Sequence, residues 1–362
     1  MSRPPDAPEQ APGVLASTPR VPAPLRGLID DIRVWSIPMR TRFRGITVRE
    51  GMLLHGPGGW AEWSPFTEYP DTEAATWLRA SLEAATTDWP TPTRERVGVN
   101  VTVPVLGADE ASRLVLDAGC RTAKVKVADP RSTLAADLDR VAAVRDALGE
   151  QGRLRVDANG AWSVDQAVDA LRALSRYRLE YAEQPCASVE ELAELRRRLA
   201  AEGIDVLVAA DESIRRSGDP ERVVAMQAAD VAVLKVQPLG GMRATQRLAS
   251  KLGLPVVISS ALETSVGMAP SLFLAASLPE LAHDCGLNTV RLLTDDLVAD
   301  PLIARDGRLT VRRPAVDPDA LARHQAPIDR EAWWLARLDR VVRVVAEAGP
   351  GAATGQRGEQ QR

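Results

Sequence analysis

Cysteine and histidine are scarce in this 362-residue chain, with three of each. Cys120, Cys186 and Cys285 are scattered without a CxxC pair, which argues against a thiolate metal site or a disulfide framework and suits a reducing compartment. His55, His283 and His324 match no ligand position and read as structural or exposed. No apolar run approaches the roughly 20 residues of a membrane span, and the N-terminus lacks the basic-then-apolar order of a secretory signal. A net charge of −4 gives no basic field, against nucleic acid or anionic membrane as partner. No GxGxxG or Walker loop follows the first strand, against a nucleotide fold. A cytoplasmic protein with a small-molecule partner is the expectation. A monomer is expected too, because no long apolar stripe remains once the helices described below have claimed theirs.

The scarcest informative residue is lysine. Of 45 Lys+Arg residues only Lys124, Lys126, Lys235 and Lys251 are lysine. A bias toward arginine removes lysine wherever arginine serves as well, which is most of a solvated surface. It cannot remove a lysine whose nitrogen must give up a proton, because guanidinium stays charged at working pH. Lys124 and Lys126 lie in Ala123-Lys124-Val125-Lys126-Val127 and Lys235 in Val233-Leu234-Lys235-Val236, both read as buried strands. Lys251, on a helical pattern before Gly253, is the surface case.

From about Arg96 to Thr289 one unit repeats: a β-branched run, an amphipathic stretch, a Gly- or Pro-marked turn. Strands are expected at Val97–Val105, Thr122–Val127, Leu154–Asp157, Leu179–Glu183, Val206–Asp211, Val231–Lys235, Val256–Ser260 and, weakly, His283–Asn288. Helices with apolar spacings of three and four lie between them. Strands alternating with such helices imply parallel βαβ units, and this many in one block favour a barrel. The fold class is therefore α/β: a TIM-type (β/α)7β barrel with an α+β capping domain. The expected organisation is a flexible Pro/Ala-rich tail at 1–24, the capping domain at 25–95, the barrel at 96–304, a C-terminal segment at 305–345 returning to the cap, and a second tail at 346–362.

Residues that end barrel strands converge on one mouth. Lys124 and Lys126 are two apart, so the pleat puts both on one face. Two ammonium groups in a confined interior are expected to depress each other's pKa, as does burial. Asp157, Glu183 and Asp211 end three successive strands. Three acids in one mouth repel unless protonated or bridged by a cation, and oxygen-only ligands suit Mg²⁺, with Mn²⁺ as a substitute. Lys235 ends the strand across the barrel. A metal flanked by lysines fits proton removal α to a carboxylate, with the enolate held by the metal.

Lys-x-Lys, then Asp, Glu, Asp and Lys on successive strands resemble the enolase superfamily, muconate-lactonising subgroup. The finer pattern resembles its o-succinylbenzoate synthase family, through Arg42-Phe43-Arg44-Gly45, Arg49-Glu50-Gly51, Gly59-Trp60-Ala61-Glu62-Trp63-Ser64-Pro65, Asp157-Ala158-Asn159-Gly160-Ala161-Trp162, Glu183-Gln184-Pro185-Cys186, Asp211-Glu212-Ser213 and Ile258-Ser259-Ser260-Ala261-Leu262-Glu263-Thr264-Ser265. The likeness runs from about residue 27 to 345. It implies a lyase of menaquinone biosynthesis that dehydrates 2-succinyl-6-hydroxy-2,4-cyclohexadiene-1-carboxylate to 2-succinylbenzoate. It implies Mg²⁺ on Asp157, Glu183 and Asp211, Lys126 as base and then acid, Lys124 as a neutralising charge, and Lys235 as a cation on the opposite face. Loops at about Pro38–Gly45 and Trp63–Tyr69 are expected to close over the mouth, with Arg44 on a substrate carboxylate. Ser259, Ser260 and Gly286 are expected at the substrate, and Asn159 and Glu263 behind the ligands.

One departure is Val236-Gln237-Pro238 after Lys235, where many relatives place Pro or a short residue directly after the lysine. Three other readings stay open. An N-acylamino acid racemase would use Lys126 and Lys235 as opposed bases. A muconate-type cycloisomerase shares the machinery. A catalytically silent binding barrel is the third, against which stands the survival of every charged site residue in a chain almost emptied of lysine.

Overall fold

The computed structural model describes residues 21–215 and 220–347. Most of the two expected tails lies outside the described residues. Val21 and Ala23–Leu25 fall within them, the latter a short 3-10 turn with Leu25 buried. Among the described residues no helix is long and apolar enough to cross a membrane.

The N-terminal part opens with β1 (Asp31–Phe43), β2 (Ile46–Gly56) and β3 (Gly59–Trp63), antiparallel and in that order. Ile32, Val34, Ile37 and Met39 of β1 are buried together with Met52, Leu53 and Leu54 of β2. Helix α1 (Asp71–Thr86) follows and buries Ala74, Trp77, Leu78 and Ser81 along one face. The far end of β1 is not the loop expected at Pro38–Gly45. Its register with β2 breaks after Pro38, Met39 bridges to Leu293, and only Arg44 and Gly45 form the turn.

After β4 (Arg96–Gly98) the chain alternates as the periodicity implies. The sequence is β5 (Val101–Val103), α2 (Ala108–Ala118), β6 (Thr122–Lys126), α3 (Leu134–Leu148), β7 (Arg153–Asp157), α4 (Val164–Leu174), β8 (Leu179–Glu183), α5 (Val189–Ala201), β9 (Val208–Ala210), α6 (Glu212–Arg215), α7 (Pro220–Ala225), β10 (Val231–Leu234), α8 (Met242–Leu252), β11 (Val256–Ile258) and α9 (Ser265–Ser277). Two helix starts are written in sequence as capping boxes, Ser163 with Gln166 and Ser188 with Glu191. Strands β5 to β11 form one parallel sheet in chain order.

The weak eighth strand is two residues long. Cys285 bridges to Val99 and Gly286 to Ser259, so together they join the first strand to the last. Asn100 N donates to Cys285 O at 3.0 Å and Ser260 N to Gly286 O at 3.0 Å. A Cβ on Gly286 would lie 2.4 Å from Ser259 Oγ and 3.0 Å from Ser259 Cβ, so a side chain there would have to displace Ser259.

The chain then runs through β12 (Arg308–Thr310), α10 (Pro318–Arg323) and α11 (Ile328–Glu347). β12 pairs with β4 at the entrance to the barrel and not with the capping sheet. α11 packs on α1 and β1, with Trp334 edge-on to Trp63 at 5.5 Å between ring centroids. Its buried Arg337 donates to Phe66 O at 3.1 Å and Tyr69 O at 2.6 Å, tying down the Ser64–Tyr69 loop.

The sheet meets the barrel through a buried carboxylate. Glu62 Oε1 accepts from Ser64 Oγ at 2.6 Å, and Oε2 accepts from Thr264 N at 3.1 Å. Burial pushes Glu62 up to about 8, against the Ser64 and Thr264 bonds that favour its charged form. The folded state therefore keeps a proton that the unfolded chain releases near the ordinary 4.5. The contribution of Glu62 to folded stability falls as pH rises from about 4.5 to about 8. Glu62→Gln is expected to flatten the fall in melting temperature between about pH 5 and pH 8. Equal slopes in variant and parent would show that Glu62 is charged in the folded protein.

Candidate active site

Parallel register assembles the site. It aligns Lys126 with Asp157 and Asp157 with Glu183. The pleat then turns Lys124, Lys126, Arg155, Asp157, Tyr181 and Glu183 inward, while Val125 and Val156 face the helices. Asp211 follows β9 and Lys235 follows β10 at the same mouth.

The lysines and acids interlock. Lys126 Nζ lies 2.5 Å from Asp157 Oδ2 and 2.6 Å from Asn159 Oδ1. Lys124 Nζ lies 2.6 Å from Glu183 Oε1 and 3.3 Å from Asp157 Oδ2. Across the barrel Lys235 Nζ lies 2.5 Å from Asp211 Oδ2, and Arg215 Nε is 3.2 Å from Asp211 Oδ1. All three carboxylates are 1% exposed, so each charge depends on these partners. Among the described residues no three acid, His or Cys side chains are gathered closely enough to hold an ion as placed. Glu183 Oε2 is buried with no hydrogen-bond partner, a free oxygen donor between the lysine-bound acids.

The two neighbouring lysines part company electrostatically. Burial, reinforced by Lys124, lowers the pKa of Lys126 despite the opposing pull of Asp157. Burial also opposes charge on Lys124, but the Glu183 and Asp157 carboxylates outweigh it and hold Lys124 above the ordinary lysine range. The expected mutual depression therefore applies to Lys126 alone. Burial raises Glu183 to about 7, whereas Lys126 and Lys124 overcome burial to hold Asp157 well below the usual carboxylate range.

The pocket above these groups is lined by Lys124, Lys126, Asp157, Asn159, Lys235, Ser259 and Ser260, with Arg44 from the β1–β2 turn. Arg44 lies 4.3 Å from the Phe66 ring centroid and donates to Tyr69 Oη at 3.2 Å. Gly286 does not line the pocket; it is part of the seam behind Ser259. Glu263 is buried away from the opening, where Oε2 accepts from Ala261 N at 2.6 Å. Phe43, Phe66, Thr102, Glu212 and Thr289 also line the pocket and were not singled out in the sequence. They carry no charge pattern of their own, apart from Glu212 beside Asp211.

Gln184, between Glu183 and Pro185, has no role legible in the sequence. Its Oε1 accepts from Asp211 N at 2.9 Å and Ser213 N at 3.1 Å, and its Nε2 donates to Ser213 Oγ at 2.6 Å and Cys186 O at 2.9 Å. One amide so fixes the backbone from which Asp211 projects. Gln184→Leu keeps the volume but strands two buried N–H groups. It is expected to lower both melting temperature and turnover, the latter about tenfold or more. Parental activity in this variant would show that Asp211 needs no such support.

A two-domain chain with acids on three successive barrel strands between opposed lysines defines an enolase-type protein. The chain matches the enolase C-terminal domain-like family over residues 107–316 and the enolase N-terminal domain-like family over 34–85. It therefore belongs to the enolase superfamily, and within it to the o-succinylbenzoate synthase family of lyases. It is 58% identical to the o-succinylbenzoate synthase of Thermobifida fusca over 301 residues, 83% of this chain and 93% of the relative. It is 50% identical to that of Mycolicibacterium smegmatis over 320 residues, 88% and 97% of the two chains.

Solved structures share the fold. Muconate lactonizing enzyme from Pseudomonas fluorescens superposes with a TM-score of 0.69 at 22% identity, covering 83% of this chain and 99% of that one. N-succinyl Arg/Lys racemase from Bacillus cereus gives 0.70 at 18% identity, covering 83% and 98%. The racemase is far more distant in sequence than the synthases.

Proposed function

We propose that this chain dehydrates 2-succinyl-6-hydroxy-2,4-cyclohexadiene-1-carboxylate to 2-succinylbenzoate, a step of menaquinone biosynthesis. The observation that carries the mechanism is the placement of Lys126 and Lys235 on opposing walls of the pocket, with Lys124 pinned beside Lys126 between Glu183 and Asp157. Lys126, with its pKa lowered, reaches the pocket and is the base that removes the proton α to the ring carboxylate. It then returns the proton to the departing hydroxyl, so one residue serves both steps of a syn elimination. Lys124, pinned between Glu183 and Asp157, stays charged and supplies a fixed positive potential beneath the reacting carbon. Lys235 does the same from the opposite wall. Arg44, Ser259 and Ser260 bind and orient the substrate's carboxylate and succinyl arms, and Asn159 holds the Lys126 ammonium in place.

Asp157, Glu183 and Asp211 would hold Mg²⁺ or Mn²⁺. An all-oxygen donor set suits such a hard cation, and the partnerless Glu183 Oε2 supports this assignment. When bound, the ion supplies the positive charge that favours the enolate form of the substrate carboxylate. A cytoplasmic monomer is the matching cellular form.

The test is an ultraviolet assay of diene loss with Mg²⁺. EDTA is expected to abolish activity. Lys126→Ala and Lys126→Arg are both expected to lose about a thousandfold or more, since guanidinium does not release a proton at working pH. Turnover by Lys126→Arg near the parental rate would remove Lys126 from the role of base. Racemisation of an N-succinyl amino acid without dehydration would overturn the proposed reaction.

A further inference from the structure

Arg49 lies in β2, is 2% exposed, and forms no ion pair among the described residues. Its guanidinium is spent on backbone carbonyls from two domains. Nε donates to Leu262 O of the barrel at 2.9 Å, while the two terminal nitrogens donate to Glu50 O at 3.2 Å and to Ser64 O. The same guanidinium carbon lies 4.4 Å from the Phe66 ring centroid. Burial lowers Arg49 to about 10, which leaves it charged at neutral pH.

Two of the tethered segments form the pocket. Phe66, two residues beyond Ser64, lines it from the cap, and Leu262 lines it from the barrel. Leu262 has φ +68°, a left-handed conformation unfavourable for a side chain with a Cβ. The turn that contains it follows directly on Ser259 and Ser260 at the end of β11. A strained turn persists only where its surroundings over-determine it. The bonds that hold this one include Arg49 on the Leu262 carbonyl, Ser260 Oγ accepting from Leu262 N–H at 3.4 Å, and the Glu263 carboxylate on Ala261 N. The lysines and acids stand on strands that Arg49 does not touch.

We infer that Arg49 is a positioning residue that clamps the Ser64–Phe66 segment of the cap to the Leu262 turn of the barrel and so builds the pocket wall from two domains. Its role is to form the surface against which substrate binds, separate from proton transfer. This rests on the pocket being the substrate site proposed above.

Arg49→Lys keeps the charge but puts one ammonium in place of a three-way fork. It is expected to raise KM about tenfold with kcat within about threefold of the parent. In the Leu262→Gly background the turn adopts its left-handed conformation without strain, so there Arg49→Lys is expected to raise KM by less than in the parent, the remainder coming from the freed Ser64–Phe66 segment. An equal KM effect in both backgrounds, or a loss confined to kcat, overturns the inference. Amide hydrogen exchange separates this from the reaction assignment. Arg49→Lys is expected to speed exchange at residues 260–264 selectively, whether or not the cyclohexadiene is the substrate. Exchange unchanged there, or raised uniformly along the chain, overturns the clamp.

Discussion

The parallel register between β6, β7 and β8 is the constraint from which the site follows. Because Lys126 stands level with Asp157 and Asp157 with Glu183, Lys126 meets Asp157 on the next strand and Lys124 reaches Glu183 one strand further on. A slip of one residue would turn all of them toward the apolar helices, where none could be neutralised. The requirement that buried charges be paired thus enforces the same alignment as the hydrophobic pattern. The buried Lys235–Asp211 pair after β10 and β9 obeys the same rule across the barrel, while Ala209, Val231, Val233 and Val257 pack with Tyr181 as an apolar inner cluster.

Much of this was legible because lysine is so rare. A chain that spends arginine freely marks, by its few lysines, the positions where a proton must move. The alternation of strands and helices gave the barrel, and acids at strand ends gave the mouth. What the sequence blurred or hid was of three kinds. The eighth strand, expected only weakly at His283–Asn288, is carried by two residues, too short for a clear periodicity. β12 carries the same alternating signal wherever it pairs, so its partnership with β4 could not be read. Gln184 and Arg155 are polar residues whose importance lies in what they hold. Arg155 is wholly buried inside the barrel, bonded to Glu180 and Asn100 and lying 4.6 Å from the Tyr181 ring centroid, yet in the sequence it was one arginine among many.

The capping domain is more than a lid laid on a finished barrel. Glu62, Arg49 and Arg337 each place a buried polar group against backbone from another segment. Such contacts cost more when broken than an equal area of apolar surface, because each leaves an unsatisfied partner out of water. The Glu62 and Arg49 contacts favour one seating of cap on barrel over a continuum of near-equivalent ones, and those of Arg337 fix the cap's own loop.

The two-residue seam at Cys285 and Gly286 also sets an order of events during synthesis. A growing chain can lay down β5 to β11 side by side, but the sheet stays open until residue 286 has emerged. The cap waits longer still, because α11, which covers α1 and β1, is made last of the described elements. The earliest strands of both domains therefore spend most of translation with an uncovered flank. The long-range pairings that complete the two domains form only near its end, which makes closure of the fold a late and slow step.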